Sequence, residues 1–238
     1  NNSSIKKETK MKFKNLVLAL AVSITAFTFV GCDDEEDPVQ PVPSNSSTMV
    51  IHGSPDAPGV DVLVDNAVAG TNLTYLQNTP YLTLPSGTRN IKVNVTGTST
   101  TVIEGNINFT KDKSYSIFAV NSVANIEPLV LEDNLAAPAS GKAHVRFIHL
   151  SPDAPAVDIT LADGTVVFGN ISFKGFTAFT PLDAGTYNLQ VRLAGTSTVV
   201  LDLGNITLTS GEIYTAYARG FVAGVGNQQL GAAIIVNN

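Results

Sequence analysis

Polar and apolar side chains alternate along Asn90-Ile-Lys-Val-Asn-Val-Thr96, and again along Tyr187-Asn-Leu-Gln-Val-Arg-Leu193. A period of two puts Ile91, Val93 and Val95 on one face of an extended strand and their polar neighbours on the other. Each stretch runs into a Gly-Thr-Ser-Thr turn, at 97–100 and 195–198. The chain then returns through Thr101-Val-Ile103 or Val199-Val-Leu201, a pattern that predicts a hairpin. Further strands are expected near 48–53, 60–65, 80–84, 106–110, 114–121 and 127–132. Their counterparts are expected near 143–150, 157–162, 177–182, 205–209, 213–221 and 229–236. Beyond an apolar N-terminal stretch, no helical period survives.

The two lists correspond because the sequence repeats itself. VIHGSPDAPGVDV at 50–62 returns as FIHLSPDAPAVDI at 147–159. Asn72-Leu-Thr-Tyr75 returns as Asn170-Ile-Ser-Phe173, Gly105-Asn-Ile107 as Gly204-Asn-Ile206, and Tyr115 as Tyr214. A repeat of about 95 residues is long enough to enclose a core of its own. Seven or so short strands per copy predict an all-β fold of two tandem immunoglobulin-like antiparallel β-sandwiches. The expected organisation is an upstream extension and signal peptide over 1–31, an acylated Cys and disordered tether over 32–47, a first sandwich over 48–134, a linker over 135–142 and a second sandwich over 143–238.

The N-terminal segment reads as an address. From Met11, Lys12 and Lys14 precede an apolar run, Leu16–Val30, too short for a comfortable membrane span and suited to a signal-peptide core. Phe29-Val-Gly-Cys32 resembles the lipobox of bacterial lipoproteins, with Phe29 where Leu is usual. The resemblance implies that Cys32 is acylated, with palmitate among the expected chains, and becomes the mature N-terminus. Anchoring then comes from buried methylenes at about 0.8 kcal/mol each. Cys32 is the sole cysteine, so no disulfide and no cysteine-based metal cluster can form within the chain. Asp33-Asp-Glu-Glu-Asp37 and the Pro- and Ser-rich stretch 38–48 predict a solvated spacer. The acidic run also resembles signals that send lipoproteins to the outer face of the outer membrane. The expected location is therefore the cell outer membrane, lipid-anchored and surface-exposed.

Charge excludes one class of partner. The first 31 residues hold five lysines and one glutamate, so the remainder carries nine basic and nineteen acidic side chains, a net charge of −10. No basic stripe is left for nucleic acid. The expected partners are the membrane, through the lipid anchor, and a surface protein or glycan.

The repeated phrase His-x-Ser-Pro-Asp-Ala-Pro-x-Val-Asp places His52, Ser54, Asp56 and Asp61 in one copy and His149, Ser151, Asp153 and Asp158 in the other. It resembles the signature of DUF4397, bacterial cell-surface domains without an agreed activity. The resemblance implies extracytoplasmic sandwiches and a loose link to cell adhesion. Read from the residues, the motif is a fastener. Ser54 is placed to accept from following amides, and Pro55 and Asp56 suit a turn. A histidine at the end of a buried strand is expected to bond a loop carbonyl or a carboxylate, with Asp56 and Asp153 as natural partners. Asp61, between Val60 and Val62, points to the other face. The rival reading makes His52, Asp56 and Asp61 a metal or catalytic cluster, but three ligands are few and no calcium loop is present. With no G-x-S-x-G, no H-E-x-x-H and no phosphate loop, the expectation is no enzyme, no catalytic residue, no metal and no cofactor. Tyr75, Tyr81, Phe173 and Phe179 are the aromatics available to stack on a sugar, though strand aromatics usually fill cores. A binding or adhesion module leads these readings. A structural envelope component and an extracytoplasmic hydrolase follow.

Overall fold

The computed structural model describes residues 44–237, and these fall in one compact unit. The signal segment, Cys32 and the acidic part of the tether lie outside the described residues.

The first half contains β1 (Asn45–His52), β2 (Val60–Val64), β3 (Ala67–Leu73), β4 (Leu82–Pro85), β5 (Gly87–Val95), β6 (Thr101–Phe109), β7 (Ser114–Val120) and β8 (Glu127–Asp133). The second repeats them as β9 (Lys142–His149), β10 (Val157–Leu161), β11 (Val166–Ile171), β12 (Thr180–Asp183), β13 (Gly185–Leu193), β14 (Val199–Leu208), β15 (Ile213–Arg219) and β16 (Gly231–Val236). The all-β sandwich expected from the alternation is what the chain forms. Two of its strands had no predicted counterpart. β3 and β11 are edge strands with mostly exposed side chains, so neither carries an alternating pattern. β1 also starts at Asn45, inside the stretch whose composition reads as spacer, because Asn45–Thr48 pair with Pro85–Leu82 and Ser46 Oγ donates to the Leu84 carbonyl.

Each half has two four-stranded sheets, ordered β4-β1-β7-β8 and β3-β2-β5-β6, then β12-β9-β15-β16 and β11-β10-β13-β14. This order differs from the ABED and CFG sheets of an immunoglobulin constant domain. It also contains a parallel pair in each half, β1 with β7 and β9 with β15. Inside the first half, Val50, Val62, Ile91, Phe109 and Ile117 pack between its sheets. Phe147, Ile159, Phe168 and Val191 do so in the second.

A third core joins the halves. Met49, Ile51, Phe118 and Val120 pack with Ile148, Leu150, Tyr217 and Ile235. These come from the outer faces of the β4-β1-β7-β8 and β12-β9-β15-β16 sheets. Both sheets are therefore covered on both sides, and β7 and β9 read as near-continuous buried runs. Phe118 meets Tyr217 edge to face with ring centroids 6.1 Å apart.

The seam also buries a polar network. Arg146 Nη1 lies 2.6 Å from Asp133 Oδ1, with the two side chains 2% and 0% exposed. Tyr81 and Ser116 each donate to Asp133 Oδ2 at 2.6 Å. Arg146 Nε donates to Thr215 Oγ1, which donates to Asn237 Oδ1, and Asn237 Nδ2 returns to the Tyr81 hydroxyl. Phe179, the counterpart of Tyr81, lies under the guanidinium at 4.5 Å. Burial lowers the Arg146 pKa while Asp133 pulls it back up, and burial beside Asp133 pushes the Tyr81 phenol up. Asp133 closes β8 and Arg146 sits within β9, so the ion pair ties the end of one half to the start of the next.

Candidate functional site

The repeated motif follows the ends of β1 and β9, where the chain crosses from one sheet to the other. His52 and His149 end these strands at 1% and 0% exposure. His52 Nε2 bonds the Pro58 carbonyl at 2.9 Å, and His149 Nε2 the Pro155 carbonyl at 3.1 Å. A carbonyl only accepts, so Nε2 carries the hydrogen and each imidazole closes its own loop. Each Nδ1 is buried without a hydrogen-bond partner. Burial lowers both imidazole pKa values, against a smaller upward pull from the proline carbonyl, which keeps the rings neutral near pH 7.

The aspartates expected as histidine partners have other work. Asp56 Oδ1 accepts from the Val123 amide at 2.7 Å, and Asp153 accepts from the Val222 amide at 3.0 Å. Each fastens the motif loop to the chain leaving the neighbouring parallel strand. The physical reason is supply: backbone amides at a turn have no other acceptor, and the proline carbonyl already satisfies the imidazole.

Asp61 and Asp158 point onto two neighbouring segments of the same half. Asp61 accepts from the Asn72 amide at 2.8 Å, the Thr96 hydroxyl at 3.1 Å and the Gly97 amide at 3.2 Å. Asp158 accepts from Asn170 at 2.6 Å and Gly195 at 2.8 Å. Asn72 and Asn170 have φ of 48° and 54°, and Gly97 and Gly195 have 71° and 70°. These left-handed positions turn the amides toward the carboxylate, which holds a strand edge and a hairpin turn together. The amide donors, Asn72 first, lower the Asp61 pKa.

Ser54 and Ser151 are both fully buried. Ser151 Oγ donates to the Gly220 carbonyl at 2.6 Å instead of accepting from the amides after it. Ser54 Oγ has no partner and so makes no such bond either. A β-carbon on Gly220 would run into the Gln229 carbonyl, so glycine is required beside that contact.

His52, Asp56 and Asp61 thus bond to separate backbone groups and do not converge. Among the described residues, no three His, Cys, Asp or Glu side chains stand where a metal ion could be held. The four aromatics weighed as sugar platforms lie elsewhere: Tyr81 and Phe179 belong to the seam network, and Tyr75 stands edge-on to His52 at 6.3 Å. Phe173 packs against the seam core, with Lys174 Nζ 5.8 Å from its ring centre.

Sequence reasoning missed the seam residues Arg146, Asp133, Tyr81, Ser116, Thr215 and Asn237. The available signal was Arg146 itself, a lone cation within the apolar run Ala143–Leu150 where the first copy has Met49.

The pattern of residues and the duplicated sandwich agree with a family comparison. The chain matches the family described as Domain of unknown function (DUF4397) over residues 46–160 and 160–238. The chain belongs to the DUF4397 family. No curated protein matches it. Among solved structures, the C-terminal domain of AlgF from P. aeruginosa is 27% identical, over 40% of this chain and 98% of that one, with a TM-score of 0.31. CBMbc, a family CBM26 structure from Eubacterium rectale Amy13K in complex with maltoheptaose, is 10% identical, over 79% of this chain and 96% of that one, with a TM-score of 0.27. Likenesses at these scores bear on neither ligand nor activity. Among the described residues of this DUF4397 chain, no helix is long and apolar enough to cross a membrane.

Proposed function

We propose that this chain is a lipid-anchored cell-envelope protein whose paired sandwiches serve as a non-catalytic binding or adhesion body on the outer membrane. The observation that carries this reading is that the repeated histidines and aspartates all bond backbone groups of their own half, in both copies. An active site needs an acid, base or nucleophile held toward a reacting atom. A repeated fastener needs what is seen here, polar side chains closing loops. The Phe29–Cys32 segment supports the anchor, and the acidic, proline-rich stretch after it supports display away from the membrane. Recognition of a surface protein or glycan would fall to loops at the sandwich ends. The buried ion pair joining the halves also favours a second reading, a structural brace in the envelope, since it ties the two sandwiches together.

Three measurements test the proposal. Labelled palmitate should enter the wild-type chain and not Cys32→Ala. Protease added to intact cells should remove the body. Cells without the gene should lose attachment to a matrix or glycan surface. An unmodified mature N-terminus, or a body shielded in intact cells, would overturn the anchored display. Normal attachment with stoichiometric co-purification of envelope proteins would replace adhesion by the brace.

A further inference from the structure

The second sandwich is not filled. Between its sheets lies a cavity of about 280 Å³, walled by Phe147, Phe168, Leu203, Leu208, Ala216 and Ile234 among other side chains, all apolar but for one tyrosine. That tyrosine, Tyr187, donates its hydroxyl hydrogen to the Asp183 carbonyl and keeps only an acceptor oxygen. A second cavity of about 420 Å³ adjoins it along the same two strands. Leu203 and Ala232 line the first, while Leu201 and Gly231 line the second. Its one polar side chain is His149, whose Nε2 is held by Pro155. The edge strands β14 and β16 both contribute to the wall of the first cavity, and Ile234 there is 46% exposed.

The first half differs in some of the side chains around the matching place. Strand register aligns Ile117 with Ala216, Phe109 with Leu208, and Glu132 with Val236. Ile117 and Phe109 are core residues at 3% and 1% exposure. The first half keeps a cavity of about 240 Å³ at the matching place, but Asn106 enters its wall. Glu132 at its edge pairs with Lys113 at 2.6 Å, and its His52 end is closed by Ile126 and Val102 packing on Val60 and Val93. At these points the second half has Ala216 for Ile117, Leu208 for Phe109 and Val236 for Glu132, whereas Asn205 matches Asn106 and Val200 matches Val102.

We propose that the second sandwich is a receptor for a hydrocarbon chain, which enters between β14 and β16 and lies between the sheets. The wall chemistry selects this class. A ligand carrying a carbonyl or negative charge into the first cavity would lose its water and find no side-chain donor, and a hydroxyl would find only the Tyr187 oxygen, a penalty that methylenes do not meet. An apolar cavity of about 150 Å³ takes up benzene, so about 280 Å³ holds roughly eleven carbons. The polar head stays at the mouth. The proposal rests on the binding-module reading and names the ligand class for it.

The test uses the full chain carrying Cys32→Ser, so that no covalent acyl group competes. 11-(Dansylamino)undecanoic acid is titrated into it, then displaced with palmitic acid in one arm and with phosphatidylethanolamine–phosphatidylglycerol vesicles in the other. We expect saturable binding at one site per chain, displaced by at least one source. The two arms separate free fatty acid from a membrane lipid. Ala216→Ile, which copies Ile117, should raise the Kd at least tenfold while leaving the melting temperature unchanged or higher. Ala232→Leu serves as a second block. No saturable binding by the wild type would overturn the proposal, as would equal binding by both blocked variants. A concentration-dependent dimer that excludes the probe would overturn it in favour of a second copy in the cleft. None of these outcomes touches the palmitate or protease results, so the anchored-display reading stands or falls separately.

Discussion

At the scale of single residues, the motif is a set of backbone clasps, and its histidines give the fold a pH dependence of known sign. His52 and His149 are buried with Nε2 donating to a proline carbonyl, so a second proton would sit on an Nδ1 that has no acceptor. Their pKa values are lowered from 6.5, chiefly by burial. Below about pH 6.5 the unfolded chain therefore binds protons that the folded chain refuses, and stability falls as pH drops. The slope is up to about 1.4 kcal/mol per pH unit for each imidazole. Urea unfolding between pH 7.5 and 5 should show this loss, and replacing one histidine by Gln should reduce the slope while lowering stability throughout. A flat profile would show that the rings are not buried neutral. Asp61 acts in the same sense at lower pH: its lowered pKa adds stability above its unfolded value, and this is lost only as pH falls through the folded one. Asp158, buried at 8% exposure, holds two amides, so Asp158→Ala should cost about 1–3 kcal/mol and speed hydrogen exchange at Asn170 and Gly195.

At the scale of elements, β9 carries the most consequential side chain. Arg146 and Asp133 are a buried ion pair, hydrogen-bonded to Ser116, Thr215 and Tyr81. Removing one partner strands the other, which typically costs about 3–5 kcal/mol, whereas removing both costs far less. Arg146→Met installs the residue that the first half has at this position, and Asp133→Asn installs the residue that the second half has at Asn237. A double-mutant cycle in urea should give two severe single variants and a double variant well above their sum, a coupling of more than about 2 kcal/mol. Additive effects would mean that the pair is not coupled.

This element also marks where sequence reading reached its limit. Asn90–Thr96 and Tyr187–Leu193 declared their faces, because one side meets the core and the other meets water. β1, β7 and β9 have no water side, so alternation disappears from them, and a buried Ser116 or Thr215 reads as an outward polar residue. In the motif, turn chemistry made it legible that the histidines and aspartates would find hydrogen-bond partners in nearby segments. Which atom each would bond was not, because Asp56 and the Pro58 carbonyl both lie within six residues of His52.

At the scale of the whole molecule, the question is whether twin sandwiches behave as two bodies or one. Each half encloses its own core, which favours independent folding. Against this, the seam takes Ile51, Phe118, Ile148 and Tyr217 at 0–1% exposure from the sheets that face it, and exposing such side chains costs about 1.5–3 kcal/mol each. A half that unfolded alone would expose its partner's share of the seam and one member of the Arg146–Asp133 pair. The combined penalty is of the order of a whole domain's stability, about 5–15 kcal/mol. Partial unfolding is therefore suppressed, and calorimetry of the wild type should show one transition with equal van't Hoff and calorimetric enthalpies. Arg146→Met should divide it, the half that loses more seam contacts melting first. Two transitions in the wild type would mean that the seam is weaker than the cores it joins, and the protein would then be a flexible pair instead of a rigid brace.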